Sequence, residues 1–261
     1  GLRSDYLAIS TLLISGIVIS VIKHEEWLSR GVKNVIGLKR PAPFEVNLQK
    51  SEWFMTLIDK IHFWAPTTKD VIISSSGIFV KLCFTIIFSI TLLTLLYLSE
   101  RAVNSPWGRM MRAIRDNETA AKAMGKNIVK QQLNIFMIGS AIIGFAGAML
   151  VTYDGLFTPS SYQPLRYTFL IWVMVLLGGS GNNYGSILGA FVVWFIWIES
   201  APIALFIINF CTFFLEYNNP VKLHLIESVP YFRYLMMGVG LLLVMRYKPE
   251  GLLPEKKISF K

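Results

Sequence analysis

The sequence predicts an all-α, multi-pass helical membrane protein, and three observations carry that prediction. Hydrophobic residues make up 54% of the 261 and charged residues only 16%, with a mean hydropathy of +0.52, which is too apolar for an ordinary water-soluble domain. Several uncharged runs approach or pass the ~20 residues that a helix needs to cross the hydrocarbon. Lys and Arg follow the connections between those runs instead of forming one basic domain, so the net charge of +9 marks a membrane protein and not a nucleic-acid binder.

Residues 6–22 and 82–98 are uncharged for 17 positions each and 133–153 for 21; each is read as a spanning helix. Residues 168–198 hold no charge for 31 positions, and one straight helix of that length would be roughly 46 Å long. GGSGNNYG (178–185) breaks it, because four glycines and two asparagines in eight residues disfavour helix and favour turns. Helices are therefore expected over 165–177 and 186–200. The glycine stretch has two readings. It is an ordinary hairpin turn, or a helix interruption in which Gly178, Gly179, Gly181 and Asn182 line a translocation path. Glu199, Ser200 and Pro202 predict a helix end, with 202–215 lying at the outer interface. The last helix, 232–246, holds Arg233 and Arg246, whose long stems let their charges reach the headgroup layer.

Charge sets the orientation. Residues 99–132 carry seven Lys/Arg against three acids, and 246–261 carry five against two, which places the 99–132 loop and the 247–261 tail in the cytoplasm. Arg3 then starts inside and 23–77 is extracytoplasmic. The crossings between the two cytoplasmic segments must be even in number, yet five apolar runs follow residue 132. Either 168–198 is one broken crossing, or both its arms cross and 202–215 does not. The helix end at Pro202 favours the second. The first residues do not read as a cleavable signal peptide.

Within 133–153, Ser140, Gly144 and Ala148 recur every four residues with Gly147 beside them. This is the small-xxx-small pattern of close helix approach, and the face is expected to meet protein, although small residues are frequent in membrane helices generally. In the loop SPWGRMMRAIRDNETAAKAMGKN (105–127), Ser105 with Pro106 starts one helix. Asp116 and Asn117 start a second, which Gly125 ends. The second helix offers Ala120, Ala121 and Ala123 as a surface on which a partner can close, with Glu118 and Lys122 spaced to pair on its wet side. Arg109, Arg112 and Arg115 are equally accounted for by the cytoplasmic location alone.

No catalytic or metal site is expected. There is no G-x-x-x-x-G-K-[ST] nucleotide loop, and Asn182 stands where a nucleophile elbow needs glycine. His24, His62 and His224 are scattered, and Cys83 and Cys211 lie inside apolar runs. The confident spans lack ionisable residues, which argues against a proton-coupled carrier.

The loop GRMMRAIRDNETAAKAMGKN resembles the cytoplasmic loop of ABC importer permeases, whose E-x-A-A-x-x-x-G pattern is matched by Glu118, Ala120, Ala121 and Gly125. Together with LRSDYLAISTL (2–12), GSAIIGFAGAML (139–150), VLLGGSGNNYGSILGA (175–190) and YKPEGLLP (247–254), it makes the chain resemble the branched-chain amino acid permease family of LivM type. The resemblance implies an importer-type helix bundle in the bacterial inner membrane, carrying branched-chain or related amino acids. Its implied partners are two ABC ATPase subunits, a second related permease and a periplasmic solute-binding protein. ATP would sit on the ATPases, leaving this chain without a cofactor. The implied coupling positions are Arg112, Arg115, Glu118, Ala121 and Gly125. Family members carry further helices ahead of the LRSDYLAISTL-like segment, so the chain is expected to be N-terminally incomplete. SRGVKNVIGLKRP (29–41) replaces a glycine-rich stretch frequent in the family, which leaves substrate preference open. A self-contained channel or secondary carrier for a small polar solute is the alternative.

Overall fold

The computed structural model describes residues 4–29, 31, 33–61, 68–159, 164–214 and 219–255. Arg3, His62, Leu215 and the tail beyond Glu255 lie outside the described residues. The chain divides into two units, Gly1–Tyr162 and Gln163–Lys261, each built almost wholly of helix.

The first unit begins with α1 (Ser4–His24), whose side chains Leu12, Leu13, Ile14, Ile17 and Val18 are all exposed. Short helices α2 (Glu26–Ser29), α3 (Glu45–Gln49) and α4 (Glu52–Ile61) follow, with the two-residue strand β1 (Val35–Ile36) between α2 and α3. They precede α5 (Lys69–Asn104), a helix of 36 residues and thus about 54 Å long. The expected span 82–98 is the middle of this helix, and the last nine residues of the predicted 23–77 segment belong to it as well. Leu48, Phe54 and Ile58 bury against Val80 and Phe84, and Gln49 donates to the fully buried Ser76 hydroxyl at 2.9 Å. This polar link fixes α3 on α5 where an unpaired hydroxyl would be costly.

Helices α6 (Pro106–Asp116) and α7 (Glu118–Ala123) lead into α8 (Ile128–Asp154). Gly155, at φ 64°, ends α8 in the left-handed conformation. Strand β2 (Leu156–Phe157) then pairs antiparallel with β1, Val35 opposite Phe157. Tyr153 near the end of α8 packs edge-on against Phe84 and Phe88 of α5, with centroids 5.2 and 5.9 Å away. Otherwise no residue in the apolar stretch of α8 is buried, a surface that requires lipid or another chain around it.

The second unit holds α9 (Pro164–Gly178), α10 (Asn183–Cys211), α11 (Pro220–Glu227) and α12 (Val229–Tyr247). Its core joins Leu170, Val173 and Leu177 of α9 to Val193 and Trp197 of α10 and Met237 of α12. The uncharged run is thus two helices, as the glycine break predicts. The helix end expected at Pro202 is not there: α10 runs on through Pro202 to Cys211. Pro202 forfeits one backbone hydrogen bond. Uncoiling the segment in a bilayer would orphan many more, and Ala204, 2% exposed, keeps the stretch beyond the proline packed. Among the described residues, four helices are long and apolar enough to cross a membrane, α5, α8, α10 and α12, with the apolar parts of α1 and α9 shorter.

Candidate functional site

Residues 105–127 form a compact, fully capped unit. Ser105 Oγ accepts from the Gly108 amide at 3.3 Å with Pro106 in the first turn. Gly108 sits so close to the last turn of α5 that a Cβ there would overlap the Val103 and Ala102 carbonyl oxygens. Asn117 ends α6 and caps α7, its Oδ1 accepting from Ala120 N at 2.9 Å. Gly125, at φ 75°, closes α7 with two returning bonds, Gly125 N to Lys122 O at 3.0 Å and Lys126 N to Ala121 O at 3.3 Å. Asn127 then caps α8 through Lys130 N at 3.1 Å. Every helix end between α5 and α8 therefore has a local cap.

The positions that the resemblance implies for coupling fall in different environments. Glu118 and Arg115 are exposed, and Arg115 pairs with the adjacent Asp116 at 3.2 Å. Arg112 is half-buried and donates to the Val103 carbonyl at 3.1 Å, so it staples α6 to α5. Ala121 corrects the sequence reading. It is buried with Ile114 and Ile128 in a small core flanked by Met110 and Met111, and its small side chain admits Ile114 and Ile128 rather than an outside partner. The open surface of α7 is Glu118, Thr119, Ala120, Lys122 and Ala123, with Met124 80% exposed at the tip. Glu118 and Lys122 form no ion pair. A cavity of about 570 Å³ beside α6 is lined by Trp107, Met111, Arg112, Arg115, Glu118 and Gln132, among others.

The glycines of 178–185 hold a hairpin shut. A Cβ on Gly178 would overlap the Gly185 carbonyl, and one on Gly189 would overlap the Met174 carbonyl, so α9 and α10 meet backbone to backbone. Gly179 and Gly181, at φ 116° and 97°, make the turn, and Asn182 Oδ1 caps α10 by accepting from Tyr184 N at 3.0 Å. The chain beyond α12 returns to this turn. Leu252 N donates to Leu177 O at 3.0 Å and Leu253 N to Gly178 O at 2.9 Å, while Asn182 Nδ2 donates to Pro254 O at 3.2 Å. A Cβ on Gly179 would overlap the Leu253 carbonyl. Gly178, Gly179, Gly181 and Asn182 are thus taken up by helix contact and tail, which is the hairpin-turn reading of the two that the sequence offered. The sequence reading does not anticipate the helix contact at Gly189 or the return of the tail to the turn through Gly251. The four-residue spacing of Gly185 and Gly189 was the available signal.

Ser140, Gly144, Gly147 and Ala148 are all exposed, and a Cβ on Gly144 or Gly147 would meet nothing within 4 Å. The face expected to meet protein therefore meets none among the described residues of its own unit.

A family model described as the branched-chain amino acid transport system permease component matches residues 2–245. The chain belongs to that family. Among curated relatives, this permease is 30% identical over 258 residues to a probable branched-chain amino acid transport permease protein LivM of Methanocaldococcus jannaschii, covering 98% of this chain and 62% of the relative. It is 25% identical over 264 residues to the high-affinity branched-chain amino acid transport system permease protein LivM of Salmonella typhimurium, covering 100% of this chain and 53% of the relative. The Escherichia coli protein of the same description is 24% identical, with the same coverage. The permease chain therefore spans about half to three-fifths of the length of these relatives. No solved structure matches it. Membership fits the polytopic helical architecture, and the matched span takes in both the capped unit and the glycine hairpin.

Proposed function

We propose that this permease imports branched-chain or related amino acids using ATP hydrolysed on other chains, and that residues 105–127 are where the motion of those chains enters. One observation carries the reading. The α6–α7 unit has its own core and caps, and it is joined at one end to the 36 residues of α5 and at the other to the 27 of α8. A displacement of such a unit passes to both long helices, because no loose joint intervenes.

The exposed face of α7, with Ala120, Ala123 and Met124, offers small and pliable side chains to a groove on a partner. The relatives' descriptions support the solute class. On this reading two ABC ATPase subunits dock at that face, a second related permease completes the pathway, and a periplasmic solute-binding protein delivers the solute. ATP stays on the ATPases and this chain holds no cofactor. The complex sits in the bacterial inner membrane.

Ala123→Trp and Ala120→Trp are expected to leave insertion and chain stability unchanged while abolishing co-purification of the ATPase with tagged permease. Ala121→Trp, by contrast, disrupts the unit itself. A full ATPase complement on both surface variants overturns the reading, and solute flux through the chain alone in liposomes without nucleotide supports the self-contained carrier instead.

A further inference from the structure

The inner face of α12 repeats every four residues: Val229, 9% exposed, then Arg233, then Met237, 2% exposed. A cation thus stands in the middle of the stripe that packs on α10. Its guanidinium carbon lies 5.4 Å from the ring centroid of Trp197, a buried indole against which Tyr234 also packs edge-on at 5.7 Å. Arg233 Nε is shielded from solvent and has no hydrogen-bond acceptor. Ser200, the buried polar side chain of α10, is already committed to the Trp197 carbonyl at 3.0 Å. Glu199 on α10 and Glu227 on α11 form no ion pair with it.

Arg40 also has a shielded Nε without an acceptor, but its terminal nitrogen is paired. Arg40 has Glu45 at 3.1 Å as well as the Phe44 ring at 4.0 Å. An unpaired guanidinium between membrane helices is costly, and an aromatic face offsets only part of that cost. Arg233 is also the fifth residue of α12, in the turns where a helix start favours negative charge. This end of α12 is opposite the one that leads into the tail.

We propose that Arg233, backed by Trp197, binds an oxyanion, a carboxylate or a phosphate, that enters between α10 and the start of α12. The planar fork of guanidinium donors suits either group through paired hydrogen bonds. The carboxylate would come from the carried amino acid, a source that rests on the import reading. The phosphate would come from a lipid headgroup, a source that does not.

The test uses the full chain in nanodiscs, as wild type, Arg233→Gln and Arg233→Lys, with thermal unfolding as a check on folding. One arm compares retention of phosphatidylglycerol with phosphatidylcholine by native mass spectrometry. The other compares binding of labelled L-leucine with leucinamide, which lacks the carboxylate. Wild type is expected to prefer the anionic probe in at least one arm, with Arg233→Gln reducing its retention about tenfold or more and Arg233→Lys falling between. Should Arg233→Gln fail to fold, Arg233→Lys decides on the same criterion. Leucine binding lost at Arg233→Gln supports the solute source. Phosphatidylglycerol retention without leucine binding supports the lipid source and counts against the import reading alone. Equal retention of both anionic probes by wild type and variants, or no anion preference in either arm, overturns the site.

Discussion

Glycine carries opposite meanings at different positions of this permease. Gly178 and Gly189 stand where a Cβ would collide with backbone of the facing helix, whereas Gly144 has open space around it. Gly189→Val is therefore expected to force α9 and α10 apart and destabilise the chain by about 3 kcal/mol or more, seen as a lowered unfolding temperature and loss of monodisperse protein. Gly144→Leu is expected to change the unfolding free energy by less than about 0.5 kcal/mol. A loss of complex assembly in that variant would reveal a partner on the exposed face. Asn117 both ends α6 and caps α7, so Asn117→Ala should cost about 1 kcal/mol of local stability, measured as faster hydrogen exchange at Ala120 and Ala121. Caps of this kind were legible in the sequence, because Ser–Pro, Asn and Gly have conformational preferences of their own. The burial of Ala121 was not. An alanine that admits Ile114 and one that admits a partner look the same until the core around it is known.

Helices were legible as uncharged runs, since membrane solvation leaves a compositional trace. Their ends were less so. Pro202 reads as a stop in water, but the cost of orphaned backbone groups in lipid keeps α10 going to Cys211. The return of residues 251–254 to the α9–α10 turn left no side-chain pattern to read, because its bonds are largely backbone to backbone. Those bonds make a prediction for the element. Leu253→Pro removes the donor to Gly178 O, and should raise amide exchange at Leu252 and through the first turn of α10 by roughly fivefold, the loss of about 1 kcal/mol of local stability. Unchanged protection there would mean that the turn holds without its cover.

The sidedness of the whole chain joins charge to geometry. Pairing of β1 with β2 requires the segments after α1 and after α8 to share one side of the membrane. The contact of residues 251–254 with the α9–α10 turn makes tail and turn share a side. The charge count, taken with four crossings after residue 132 by α8, α9, α10 and α12, predicts a cytoplasmic turn. In a background with Cys83 and Cys211 replaced by serine, Glu118→Cys and Ser180→Cys should both react with a membrane-impermeant maleimide from the cytoplasmic face only. Trp27→Cys should react from the other. Labelling of position 180 from the outer face would remove one crossing and invert everything after α9. There is also a consequence for synthesis. The turn's Asn182 waits for a carbonyl made 72 residues later, so a ribosome must pass Pro254 before that end of the hairpin is sealed. Chains cut short of that point keep a raw polar edge at the hairpin, with the Asn182 amide uncovered.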